Sequence, residues 1–237
     1  IYKGANEIVN SHNLFGRSLF NNNVLSRHIS TFKALSVELS NGVVELASRL
    51  GVTKNVIFQY AWGLVQVSEN KSTNVRYGLI VSGRDSGDVE ASEKIGLYAS
   101  TIPVDLCMKS KAAELVKEIQ EVQFKQVLTV GEQLEYERLE SALLFEPKAL
   151  IDNYKCIDVK RVYGRSYSQI PITLAFYDEI HGIEYKYNAL NYSEKRVTEL
   201  HDKYVSIIEA LGKNHNDLNC LDNFVTHYIS SHVYTEV

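Results

Sequence analysis

Seven histidines are the first place to look for a general base, and their spacing argues against one. His12, His28, His181, His201, His215, His227 and His232 are scattered along the chain with no two adjacent. General-base chemistry needs a base held within hydrogen-bond reach of the proton it takes. His227 and His232 would not share a helix face well, so they do not read as a metal pair. Cys107, Cys156 and Cys220 are odd in number and widely spaced. They suggest neither a disulfide framework nor a zinc knuckle, and they read as thiols of a reducing cytoplasm. The run Ser82-Gly83-Arg84-Asp85-Ser86-Gly87 is a polar, glycine-containing loop without the Gly-Lys-Ser/Thr ending of a phosphate-binding loop. Asp85 and Asp88 lack the ligand pattern and closing glutamate of a calcium loop. Two residues remain with chemical potential. Arg84 is a cation behind a glycine, and reads more simply as a solvated side chain paired with Asp85 or Glu90. Ser168 is a hydroxyl just ahead of a strand, and reads more simply as a turn serine bonding local backbone before Pro171.

The elements that would position these residues follow from periodicity. A β-rich run over 75–81 enters the polar loop, and a second one over 98–106 leaves it, with Gly96 allowing an unusual backbone or a close approach. Loops of this length are commonly functional or mobile. Before the loop, Ser36 is an N-cap and Gly51 a C-cap for a helix carrying Leu39, Val43, Leu46 and Leu50 on one face. Thr53 caps a second helix over 54–69 that is apolar nearly all round and must be buried, with Phe58, Tyr60 and Trp62 as core. After the loop, Ser110 caps a helix over 111–128 with Ala112, Leu115, Val116, Ile119 and Val122 inward, and a short helix is expected within 131–140. Strands are expected at 142–147, 154–162 and 172–177. Ile183, Tyr185 and Tyr187 alternate with Glu184, Lys186 and Asn188, a half-exposed strand closing a hairpin. Ser193 caps a long helix with Val197, Leu200, Tyr204, Ile207, Ile208 and Leu211 as its buried stripe and Gly212 at its end. Residues 1–33 read as a mostly irregular linker, 34–212 as one folded unit, and 213–237 as a polar tail with one amphipathic stretch.

The pattern alone supports helices and strands sharing one core. The chain has 237 residues, 45% apolar and 23% charged, with a net charge of -4. That composition describes an ordinary globular protein and gives no general attraction to nucleic acid or anionic membrane. Lys109 and Lys111 make only a minimal basic pair. No apolar run has the ~18 residues of a membrane helix, and no signal-peptide pattern is read at the start. The opening on Ile1 rather than Met fits a fragment of something longer.

Two stretches carry a family resemblance. Ser82-Gly83-Arg84, a variable loop, then Ile95-Gly96-Leu97-Tyr98-Ala99-Ser100-Thr101-Ile102-Pro103-Val104-Asp105 resembles the strand-loop-strand of condensation domains of nonribosomal peptide synthetases. There the second motif is close to I-G-x-F-x-N-T-x-P-x-R, so Tyr98 stands for Phe, Ser100 for Asn and Asp105 for the basic residue. The run from Leu35 to Val65, with its Gly51-Val52-Thr53 and Ala61-Trp62, is similar to the first two helices of the C-terminal lobe. Phe145-Glu146-Pro147 and Tyr167 to Leu174 resemble later family motifs, whereas Glu135 to Leu139 departs from the family's P-F-E motif.

The resemblance implies an α/β fold, a helix-covered mixed β-sheet sandwich that is half of a chloramphenicol-acetyltransferase-like two-lobe structure. It implies that Ser168, Tyr98 and Thr101 line a substrate tunnel, that Gly83 and Arg84 lie in a floor loop, and that Gly96 and Pro171 are structural. The family's H-H-x-x-x-D-G motif belongs to the other lobe and is absent from this sequence. The implied activity is amide formation between carrier-bound thioesters, inactive in this lobe alone. No cofactor would be bound directly, and phosphopantetheine would be presented by peptidyl carrier domains. The other implied partners are the N-terminal lobe and an adenylation domain. A homodimer could cover the exposed lobe face. A non-catalytic binding or scaffolding module, or an epimerisation or cyclisation relative, is the alternative.

Overall fold

The computed structural model describes residues 28–82, 99–108, 111–127, 139–146, 170–178, 181–213 and 217–233. In chain order the elements are β1 (His28–Ala34), α1 (Val37–Leu50), α2 (Lys54–Asn70), β2 (Asn74–Ser82), β3 (Ala99–Cys107), α3 (Ala112–Val127), β4 (Ser141–Glu146), β5 (Ile172–Tyr177), β6 (Gly182–Asn188), α4 (Glu194–Lys213) and α5 (Leu218–Val233). The six strands form one mixed sheet in the order β1-β6-β5-β4-β2-β3. The central pairs β2–β4 and β4–β5 are parallel, and the outer pairs β2–β3, β5–β6 and β1–β6 are antiparallel. This is the expected helix-covered mixed sheet.

Among the described residues the helices gather on one face. Helix α2 lies at the centre of that layer, and its residues from Val56 to Val67 are buried all round, as its apolar composition predicts. Its polar side chains are matched to the sheet. Trp62 Nε1 donates to Ser141 Oγ at 3.0 Å, and the Tyr77 hydroxyl donates to Gln59 Oε1 at 3.1 Å. Helix α4 buries the predicted stripe together with His201, whose Nδ1 lies 3.1 Å from the Tyr185 hydroxyl. At the α2–α4 junction, Glu69 is 6% exposed and is gripped by Arg196 and Lys203. Helix α1 packs on α2 and α4, and α3 packs on α2 and β3.

Caps behave largely as read. Ser36 Oγ accepts from Leu39 N–H at 3.1 Å, Ser193 Oγ accepts from Arg196 N–H at 3.2 Å, and Gly51 takes a left-handed φ of 68°. Thr53 occupies the N-cap of α2 without a side-chain cap bond, and its own N–H donates to Gln120 Oε1 of α3 at 3.0 Å. Gly212 falls inside α4 rather than after it, and the helix runs on to Lys213.

Two elements differ from the sequence reading. Residues 28–34, expected to be irregular, form edge strand β1, in which Ile29 pairs with Tyr187 and Thr31 with Tyr185. The amphipathic stretch of the tail forms α5, which packs on α2 and α3 through Leu221, Val225 and Ile229. The expected helix within 131–140 lies outside the described residues except for Leu139 and Glu140, which are not helical; the strand at 154–162 and the Ser110 cap also lie outside them. Among the described residues no helix is long and apolar enough to cross a membrane.

Candidate functional site

The three parallel strands β2, β4 and β5 run in the same direction, so their C-terminal ends reach one rim of the sheet. Glu146 pairs with Tyr177, and the β2–β4 register carries on from Ile80 opposite Leu144 toward Ser82 beside Glu146. Ala99 and Gly182 flank this rim through the antiparallel neighbours. The carboxyl ends of parallel strands are where open α/β sheets place their ligands.

On the face away from the helices, one row crosses all six strands as Phe32, Glu184, Ala175, Leu144, Ile80 and Thr101. The β2–β3 part of that face carries Ile80, Gly78, Thr101 and Pro103, with the Arg76–Asp105 ion pair toward its far end. The β5–β6 part is polar and titratable. Glu184 Oε1 accepts from the Ser30 hydroxyl of β1, and its Oε2 accepts from the Tyr177 hydroxyl at 2.8 Å. Lys186 Nζ lies 3.4 Å from the same Oε2. Burial pushes the Glu184 carboxyl up, but the Ser30 and Tyr177 donors and the Lys186 ammonium outweigh it, and the net displacement is downward.

Glu146 is the counterpoint. Its carboxylate makes no hydrogen bond or ion pair among the described residues. Burial raises its pKa and the nearby Lys186 offsets this only in part. The Tyr177 phenol is pushed up by burial, by its bond to Glu184 and by both carboxylates. Thr173 sits opposite Lys186 on β5, is 5% exposed, and its Oγ1 has no hydrogen-bond partner. The Phe32 ring, 46% exposed, lies over Gly182, where a Cβ would collide with it.

The sequence-predicted residues are divided by this frame. Thr101 lies on β3, half-buried on the helix-free face, with its methyl over Gly78. A Cβ at Gly78 would come 2.6 Å from Thr101 Cγ2, so glycine is required there by close approach. Pro171 is buried at the opposite end of the sheet, where its carbonyl accepts from Asn188 N–H at 3.1 Å. Four residue steps and three strand spacings put Thr101 and Pro171 roughly 20 Å apart, so they share no site. Gly83, Arg84, Gly96, Tyr98 and Ser168 lie outside the described residues. Glu146, Tyr177, Glu184, Lys186 and Thr173 were not singled out from the sequence as a group. The available signal was the alternation of Glu184 and Lys186 on the exposed side of β6. Among the described residues no cluster of His, Cys, Asp and Glu is arranged to hold a metal ion.

Comparison with known proteins gives a consistent kinship. No family model matches the chain. It is 29% identical over 125 residues to bacitracin synthase 3 from Bacillus licheniformis, which covers 48% of this chain and 2% of that protein. It is 34% identical over 91 residues to gramicidin S synthase 2 from Brevibacillus brevis, covering 37% of this chain and 2% of that protein. Among solved structures, the condensation domain from the Monacolin K polyketide synthase MokA superposes with a TM-score of 0.65 at 11% identity, over 85% of this chain and 52% of that one. The X-domain from teicoplanin biosynthesis, solved in complex with OxyB, gives 0.61 at 15% identity, over 82% of this chain and 48% of that one. The chain thus spans about 2% of the length of these curated relatives and about half of the solved chains. The resemblance read from the motifs holds: this chain has the fold of one lobe of a condensation domain, and its sequence likeness is to nonribosomal peptide synthetases.

Proposed function

We propose that the chain is the C-terminal half of a condensation domain and forms the acceptor-side wall of the passage in which the amide bond is made. In that reaction the amine nitrogen of an aminoacyl thioester attacks the carbonyl carbon of an acyl or peptidyl thioester. The C–S bond breaks, the nitrogen gives up a proton, and the thiol leaves. The single observation that carries the reading is the one-sided sheet. Its helices cover one face, while the other presents a polar patch at the rim where parallel strands end. The half-length match to solved condensation domains supports it.

On this reading the base comes from the H-H-x-x-x-D-G lobe, and phosphopantetheine arrives on peptidyl carrier domains without a cofactor resident in this lobe. Carrier domains and the N-terminal lobe are the direct partners, with an adenylation domain nearby, in the cytoplasm. Ser168, Tyr98 and Thr101 remain proposed for the tunnel, Gly83 and Arg84 for the floor loop. The test is reconstitution with loaded carriers. No amide product is expected from this chain alone, and product is expected once an N-terminal lobe is supplied. Amide formation by the chain alone would overturn the division of labour.

The X-domain bound to OxyB favours one second reading, a partner-binding module on the same fold. An H-H-x-x-x-D-G lobe encoded upstream of Ile1 decides for the catalytic reading, and its absence decides for the binding module.

A further inference from the structure

The sheet has two edge strands, β1 and β3, and their outer borders are built differently. In an antiparallel pair, residues alternate between those whose main chain bonds to the neighbour and those whose main chain turns outward. Leu35 N–H donates to His181 O at 2.7 Å, between opposite residues of the β1–β6 register. Ile29, Thr31 and Lys33 therefore bond to β6, while Ser30, Phe32 and Ala34 turn their N–H and C=O outward. On β3, Met108 N–H donates to Thr73 O at 2.8 Å, so Ala99, Thr101, Pro103 and Asp105 turn outward.

The β3 edge is blunted. Pro103 has no N–H in the middle of the outward row, and the Asp105 side chain, 65% exposed, puts a charge beside it. The β1 edge lacks both guards. Its register against β6 is continuous over seven residues, without proline or bulge. Lys33 bonds inward through its main chain. The outward main-chain groups of Ser30, Phe32 and Ala34 make no hydrogen bond among the described residues. The Phe32 ring beside them is 46% exposed. An open edge of this kind is a template for another strand.

We propose that this strand is β1 of a second copy of the chain. Antiparallel pairing about a two-fold axis at Thr31 sets Ser30 opposite Phe32 of the second copy, and His28 opposite Ala34. Every outward residue then meets an outward residue, and each such pair exchanges both main-chain bonds. Thr31 faces its own counterpart, a favourable cross-strand pair, and Ile29 faces Lys33, so no like charges are opposed. The interface is self-complementary and closes at two copies. The two sheets become one, with both helix layers on the same side and both helix-free faces left open. The rim at Ser82, Glu146 and Tyr177 takes no part, so the dimer goes beyond the passage-wall reading and does not depend on it.

The test is the mass of the full chain by sedimentation equilibrium across concentration, with amide hydrogen exchange followed by NMR on the same samples. Two copies are expected at high concentration and one on dilution. The Ser30, Phe32 and Ala34 amides should exchange slowly in the dimer and fast in the monomer, while Ile29, Thr31 and Lys33 stay protected in both. Phe32→Pro removes one outward donor and spares every bond to β6, so it should halve the mass at high concentration and leave the circular dichroism unchanged. The exchange pattern keeps the proposal exposed if that variant folds poorly. A monomer at millimolar concentration overturns it and leaves the edge to a strand of some other chain. A dimer in which Ser30, Phe32 and Ala34 still exchange fast, or one that a folded Phe32→Pro does not split, also overturns it, because the copies then meet elsewhere.

Discussion

The Glu69 side chain is almost wholly withdrawn from water and Glu146 only partly, and they are treated differently. Glu69, on the helix side, is clasped by Arg196 and Lys203 from α4. Glu146, on the opposite face, has a raised pKa and no such clasp. The helix side is not perfectly satisfied, since the Tyr60 hydroxyl and Asn70 Oδ1 are also unpartnered. Those are single neutral atoms in an apolar layer, however, whereas the patch on the other face gathers charged groups at a strand rim. One face is organised for stability. The other leaves one half-buried carboxylate, Glu146, beside a Glu184 that is held by Ser30, Tyr177 and Lys186.

The largest effect should come from the helix side. Trp62→Ala removes a fully buried indole and its bond to Ser141, and should cost about 3–5 kcal/mol in urea denaturation. A cost under about 1 kcal/mol would mean that α2 does not anchor the layer. Next, Gly78→Ala tests whether the β2–β3 part of the helix-free face is packed as tightly. Its new methyl meets Thr101 Cγ2 and Leu139 Cδ1 within 2.9 Å, so a loss of about 1–3 kcal/mol is expected by the same measurement.

Within the patch, the two carboxylates should respond to pH with opposite signs. Glu184 has a lowered pKa, so its contribution is present above the ordinary 4.5 and is lost as pH falls through the folded value. Glu184→Gln should destabilise at neutral pH by about 1 kcal/mol and converge with the parent in acid. Glu146 has a raised pKa, so its contribution is full below 4.5 and is lost as pH rises through the folded value. Glu146→Gln should therefore stabilise slightly at neutral pH, by less than about 1 kcal/mol, and make no difference in acid. Denaturation midpoints across pH check both. Parallel pH responses would erase the contrast between them.

Much of the fold could be read from periodicity because its helices are strongly one-sided. Leu39, Val43, Leu46 and Leu50 of α1 and the whole stripe of α4 are buried as predicted. Strand β1 is hard to read from sequence because Ile29 and Thr31 stand in a polar context, and its pairing with β6 spans roughly 150 residues of sequence. Helix α5 shows the same weakness, since Leu221, Val225 and Ile229 give only a thin stripe on a polar segment. The polar patch was least legible. Ser30, Glu146, Tyr177 and Glu184 sit on four different strands, and only the pairing register brings them together. Thr101, expected in the tunnel, and Pro171, expected to be structural, were both read from local motifs, and they stand toward opposite ends of the sheet.

Strands β2, β4 and β5 finish along one border, at Ser82, Glu146 and Tyr177. Exchanges at that border need not disturb Trp62, Tyr77 or Tyr204, which are buried between α2, α4 and the sheet. Divergence in what the lobe handles can thus proceed by editing that border, while the hydrophobic interior is inherited unchanged.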